Sequence, residues 1–252
     1  QTAFCFLKRF NFNSKTSFQS LARSFSIVSQ SQRQSVCVKN RKMSTSKSLL
    51  VTTVDACDIL AQLVKQLYDT LSGDSAKLKE DKSVFTIADG LVQELLKSHL
   101  FGGNKFKAIV GEEDDSNIVV SQRPFKVDDL LIPEKFYASI DQARIQLDSL
   151  STRIDSTAFK DLTIFIDPID GTREFYTKLG EQCSFCIGFA KEGKPFAGVV
   201  YRPLTSPPTW AAGCPSESLR MAKLERNAVA TRGVLTSNGS ISPFIETLIE
   251  TL

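Results

Sequence analysis

Apolar residues recur at helical spacing over residues 49–71, at Leu60, Leu63, Val64, Leu67 and Leu71. Positions three and four apart share one helix face, so the stretch predicts a long amphipathic helix, ended near Ser72-Gly73. Residues 85–88 read as extended or turning. Asp89 then caps a second amphipathic helix that begins at Gly90. Residues 106–110 predict a strand, and 116–160 a long insertion. Within it Pro133 opens a helix over 133–150, with Ile140, Ala143 and Leu147 on one face. Residues 162–166 are short, apolar and β-branched, the pattern of a buried strand. Residues 185–190 and 196–201 predict a hairpin turning at Lys191-Glu192-Gly193-Lys194. Short strands are expected at 209–212 and 219–224. Residues 234–240 read as a strand entering a glycine turn, and 241–252 as a helix begun near Ser242-Pro243.

Charge changes the picture at the N-terminus. No Asp or Glu precedes Asp55, while nine of the 31 basic residues fall in positions 1–54. The remainder carries 22 basic against 28 acidic side chains, so it is mildly acidic and offers no basic face for nucleic acid. Residues 1–48 are rich in Ser, Gln, Lys, Arg and Phe. They read either as an organellar transit segment or as an untranslated leader ahead of Met43, and disorder is expected there. The compartment is then cytoplasmic, or chloroplast or mitochondrion if the transit segment is real. No run of about 20 apolar residues appears, so no membrane span is expected.

Six cysteines, Cys5, Cys37, Cys57, Cys183, Cys186 and Cys214, form no disulfide framework. Cys183 and Cys186 have C-x-x-C spacing, which admits a redox or metal–sulfur role. On a strand, however, residues three apart face opposite sides. His99 is the only histidine, near a helix end, and a structural or solvated role suffices for it.

The stretch Asp167-Pro168-Ile169-Asp170-Gly171-Thr172 follows the strand at 162–166. Pro168 fixes its own φ and biases Asp167 toward extended backbone, so the strand should stop at Asp167 and turn. Both carboxylates then converge at a strand's C-terminal end, where open α/β sheets bind ligands. Two hard oxygen donors suit Mg²⁺. Gly171 and Thr172 are placed to open a helix whose free N–H groups meet a phosphate. An acidic turn with Asp170 as helix cap is the simpler alternative.

This hexapeptide resembles the signature of the Mg²⁺-dependent, Li⁺-sensitive phosphomonoesterases. That superfamily includes inositol monophosphatases, inositol polyphosphate 1-phosphatases, fructose-1,6-bisphosphatases and 3'(2'),5'-bisphosphate nucleotidases. Lys82-Ser83-x-x-Thr86-x-x-Asp89 resembles its lysine-to-aspartate stretch, and Gly111-Glu112-Glu113 its Gly-Glu-Glu element. The resemblance implies an α/β protein with the layered α-β-α-β-α sugar-phosphatase-type fold, its C-terminal α/β part incomplete. The implied domains are a leader at 1–48, an α+β metal-binding catalytic domain at 49–232 and the start of a C-terminal α/β domain at 233–252.

The resemblance also assigns roles. Glu112, Asp167 and the Ile169 carbonyl would hold a first Mg²⁺. Asp167 and Asp170 would hold a second, with a further aspartate from a Trp-Asp element that this sequence lacks; two or three ions are implied in all. Gly171 and Thr172 N–H groups would bind phosphate, and Asp89, hydrogen-bonded to the Thr172 hydroxyl, would orient the attacking water. Glu113 would point elsewhere. The implied substrate is a small phosphorylated molecule. Asp161-Leu-Thr-Ile-Phe-Ile-Asp-Pro-Ile-Asp-Gly-Thr-Arg-Glu-Phe175 resembles the 3'(2'),5'-bisphosphate nucleotidase branch, and the insertion resembles the nucleotidase and polyphosphate phosphatase branches more than the compact inositol monophosphatases; an inositol mono- or polyphosphate 1-phosphatase is the runner-up. A non-catalytic metal- or phosphate-binding relative is the alternative from another class. Oligomeric state is not legible.

Overall fold

The structure, a computed structural model, describes residues 45–71, 78–104 and 106–223. Residues 1–44 of the leader expected over 1–48, and the strand and helix expected at 234–252 as the start of a C-terminal α/β domain, lie outside the described residues. The described residues, 45 to 223, belong to one compact unit.

Helix α1 spans Thr45–Tyr68, starting earlier than the apolar stripe alone implies. Ser46 is buried and its hydroxyl donates to Glu217, so residues 46–48 belong to the folded unit rather than to the leader. The α1 face made by Leu49, Leu50, Ala56, Leu60, Leu63, Val64 and Leu67 is almost wholly buried. Helix α2 spans Leu78–Glu94 and runs on as a π-helix over Leu95–Phe101. Residues 85–88 are therefore helical, and Asp89 lies inside the helix instead of capping it. Phe85, Ala88, Leu91, Val92 and Leu95 make one buried face, and that burial overrides the weak local propensity of Ser83-Val84-Phe85-Thr86. The hydroxyls that would otherwise compete with the helix bond back one turn, Ser83 to the Lys79 carbonyl and Thr86 to the Lys82 carbonyl, each at 3.1 Å.

Six strands build the main sheet: β1 Ala108–Gly111, then β5 Leu162–Asp170, β6 Ser184–Lys191, β7 Lys194–Arg202, β8 Thr209–Cys214 and β9 Leu219–Lys223. They are adjacent in that order. β1 and β5 are parallel and every other pairing is antiparallel. The β6–β7 hairpin turns at Glu192-Gly193, both with positive φ, as a two-residue turn needs to match strand twist. The insertion folds as a small three-stranded sheet, β2 Ile118–Val119, β3 Lys126–Val127 and β4 Leu130–Leu131. Helix α3, Tyr137–Ser151, follows and buries Ile140, Ala143 and Leu147 as the periodicity requires.

Alternation along the strands sets the layers. Leu162, Ile164 and Ile166 of β5, and Phe185, Ile187 and Phe189 of β6, are buried, while Thr163, Phe165, Cys186 and Gly188 are half-buried. Phe101 of the π-helix meets Phe189 at 6.1 Å, and Tyr201 of β7 donates to Asp58 of α1, so the helices cover the buried face. β5 continues past its apolar run to Asp170, with a break in register between Asp167 and Asp170. The strand does not stop at Asp167 as Pro168 implied. Pro168 is accommodated at the irregularity, one of the few places a sheet tolerates it.

Candidate active site

The parallel pairing of β1 with β5 builds the centre. Gly111 is in register with Ile166, and the Glu112 N–H donates to the Ile166 carbonyl at 3.0 Å. Glu112 thereby leaves β1 beside the point where Asp167 leaves the apolar part of β5. Helix α2 packs on β5 and brings Asp89 to the same end. Asp89 lies close to the Ile169 backbone and to the Glu113 and Glu112 carboxylates, and Asp167 lies close to Glu112. Asp170 lies close enough to Asp167 to act on it electrostatically.

Burial makes this arrangement costly without a cation. Asp89 and Asp167 are only 7% and 8% exposed. Burial first, then the charges of Glu113 and Glu112, hold Asp89 well above the usual carboxylate range. Burial first, then Asp170, Glu112 and Asp89, do the same to Asp167. Asp89 Oδ1 is buried with no hydrogen-bond partner, although a buried acceptor is nearly always satisfied. A hard cation beside these oxygens would relieve all three penalties, so the donor set fits Mg²⁺. Among the described residues no three of His, Cys, Asp or Glu come together closely enough to hold a metal ion by themselves. Mg²⁺ rarely uses an all-protein cage, since it keeps waters and substrate phosphate oxygens in its shell.

Helix α4, Thr172–Tyr176, begins directly after Gly171. Gly171 has φ of 104°, and a Cβ there would lie 3.3 Å from Cys183 Sγ, so both backbone and space select glycine. Phe175, fully buried, pins α4 between Tyr68 at 5.2 Å and Phe85 at 5.5 Å. Thr172 is exposed at the start of α4. Asp89 Oδ1 receives no bond from the Thr172 hydroxyl.

A sequence model described as the inositol monophosphatase family matches residues 46–243. The chain belongs to the inositol monophosphatase family. Among relatives of this family member, mouse 3'(2'),5'-bisphosphate nucleotidase 1 is 31% identical over 118 residues, 47% of this chain and 34% of the mouse protein. A putative inositol monophosphatase 3 of Drosophila melanogaster is 35% identical over 52 residues, 21% of this chain and 15% of that protein. The match thus spans about a third of the length of the nucleotidase. The crystal structure of CysQ from Bacteroides thetaiotaomicron, a bacterial member of the inositol monophosphatase family, aligns with 19% identity and a TM-score of 0.44, covering 72% of this chain and 53% of CysQ.

Two residues of this site escaped the sequence reading. Glu113 faces Asp89 instead of pointing elsewhere. Gln93, four residues after Asp89 and 2% exposed, accepts from the Glu113 N–H at 2.8 Å. The available signal was an uncharged polar residue at i+4 from Asp89 on a helix face otherwise buried. Cys183 is buried and donates to the Gly171 carbonyl at 3.2 Å, and burial pushes its thiol up. Cys186, half-buried, faces Ser184 at 3.7 Å, and burial raises it as well. The described cysteines are free thiols. Such raised thiols are poor nucleophiles and poor metal ligands, which weighs against the redox reading.

Proposed function

We propose that this chain carries the centre of a Mg²⁺-dependent phosphomonoesterase acting on a small phosphorylated substrate, and that the substrate is a 3'(2'),5'-bisphosphate nucleotide. The observation that carries the reaction class is the convergence of Asp89, Glu112 and Asp167 from three separate elements, with a buried, partnerless oxygen on Asp89. Similarity to 3'(2'),5'-bisphosphate nucleotidase 1 over 118 residues supports the substrate. Glu112, Asp167, Asp170 and the Ile169 carbonyl would hold the metal. Mg²⁺ supplies the Lewis-acid and water-activating chemistry that hydrolysis of a phosphomonoester needs.

The chain's own groups do the rest. Gly171 and Thr172, at the turn into α4, present backbone N–H groups to a phosphate. Asp89, buried at the same end of the sheet, would orient the attacking water and take up its proton. The Thr172 hydroxyl is available to orient that water. Phe175, packed against Tyr68 and Phe85, fixes the start of α4, which would help to hold a bound phosphate for in-line attack.

The test is phosphate release by the full chain from adenosine 3',5'-bisphosphate and from inositol 1-phosphate, side by side, with and without Mg²⁺. Preference for the nucleotide supports the proposal. Preference for the inositol phosphate transfers the assignment to the second substrate class, which the match to inositol monophosphatase 3 favours. Mg²⁺ binding without hydrolysis of either identifies a non-catalytic relative.

A further inference from the structure

The carboxamide of Gln93 is committed to the acidic turn on both sides. Its Oε1 accepts from the Glu113 N–H at 2.8 Å, and its Nε2 donates to Asp114 Oδ1 at 3.4 Å. Asp114 completes the frame: Oδ2 accepts from the Gly111 N–H at 3.1 Å, and Oδ1 accepts from Lys97 Nζ at 2.6 Å. Gly111 leaves room for this. A Cβ there would lie 2.2 Å from Gln93 Cδ and Oε1, so the amide sits where a side chain would otherwise be. On its other side the turn is tied to β5 through the Glu112 N–H.

We propose that Gln93 is a positioning residue of the metal centre, fixing the turn that delivers Glu112 and Glu113 toward Asp167 and Asp89. This rests on the reading of the centre as a Mg²⁺ site. Two bonds from one rigid amide set the roll of residues 111–114 about the strand axis. That roll decides in which direction consecutive glutamate side chains leave the backbone. Gln93 also shares a helix face with Asp89, one turn away, so the turn is referenced to the same element that carries the buried carboxylate. A neutral amide does this without adding charge beside Asp89 and Asp167. Lys97 balances Asp114 from the outer side, where both are about one-third exposed.

The test is Mn²⁺ binding by the full chain, read from loss of the free-ion electron paramagnetic resonance signal, so that no turnover is needed. Gln93→Leu keeps similar volume and removes both hydrogen bonds. It is expected to weaken Mn²⁺ binding by roughly 10- to 100-fold, the usual effect of losing an outer partner of a metal ligand. Lys97→Met, at the partly exposed end of the frame, should weaken it roughly 2- to 5-fold. Leu147→Ala, in the buried face of α3, serves as the control: it should lower the melting temperature and leave Mn²⁺ affinity unchanged. Wild-type affinity in Gln93→Leu, or an equal loss in Leu147→Ala, overturns the positioning role. If Gln93→Leu does not fold, unchanged affinity in Lys97→Met overturns it. Absence of Mn²⁺ binding by the wild type overturns the metal-site reading itself and the positioning role with it, an outcome distinct from equal affinities.

Discussion

Replacing Asp89 by asparagine should stabilise the metal-free protein while disabling the site. The wild-type carboxylate is 7% exposed, faces Glu113 and Glu112, and leaves Oδ1 without a partner. An asparagine removes the charge and offers an amide N–H₂ to Glu113. A buried polar atom left unsatisfied costs about 1–3 kcal/mol. A domain of this size shifts its melting temperature by roughly 2–4 °C per kcal/mol, so Asp89→Asn should melt about 2–12 °C higher at pH 7.5 in EDTA.

The sign of the pH dependence follows from the direction of the shift. A carboxyl whose folded pKa is raised favours the fold fully below the unfolded carboxylate range and loses that contribution as pH rises toward the folded value. The advantage of Asp89→Asn should therefore shrink on acidification toward pH 4. Saturating Mg²⁺ should also shrink it, because the wild type then gains binding free energy that the variant lacks. The assay is thermal melting by circular dichroism at pH 4.5, 6 and 7.5, with EDTA or Mg²⁺. A variant that melts below wild type at pH 7.5 in EDTA, or a difference indifferent to pH, refutes the reasoning.

In steady-state phosphate release, Asp89→Asn and Thr172→Ala should each reduce kcat strongly and the double variant should add little, because both are proposed to act on the same attacking water although no hydrogen bond joins them; multiplicative losses would separate them. Gly171→Ala forces a side chain into left-handed backbone next to Cys183 and should cost about 1–2 kcal/mol in urea unfolding; an unchanged midpoint would count against the tight turn. Removing residues 1–44 should leave a cooperative melt, whereas removal through Leu50 deletes two fully buried leucines and should lower stability by several kcal/mol, at about 2–5 kcal/mol per buried leucine.

What the sequence made legible follows local chemistry. The stripe at Leu60, Leu63, Val64 and Leu67, the β-branched run at 162–166 and the Glu192-Gly193 turn each carry their structure in a few neighbouring residues. Failures occur where distant packing decides. Residues 85–88 look extended because Val84 and Thr86 are β-branched, yet burial against the sheet and α4 holds them helical. Asp89 looks like a cap for the same reason. Pro168 looks like a strand terminator, but a break in register absorbs it. At the site, motifs pointed to Glu112 and Asp167, whose proposed roles remain for experiment, whereas the Glu113–Asp89 proximity and the Gln93 clamp depend on how α2 packs on β5, which no local pattern encodes.

The central claim, that the carboxylates at the ends of β1 and β5 form a Mg²⁺ centre for phosphomonoester hydrolysis, is tested most directly through Asp167. This residue meets Glu112, Asp170 and Asp89 at once. The measurement is phosphate release from adenosine 3',5'-bisphosphate across a Mg²⁺ titration, for wild type and Asp167→Asn. Saturable, Mg²⁺-dependent release in the wild type, reduced in Asp167→Asn by more than about 100-fold, the loss that even an outer-shell partner can cause, is the expected result. Release that ignores Mg²⁺, or an Asp167→Asn variant that hydrolyses the substrate like the wild type at equal Mg²⁺, would contradict it.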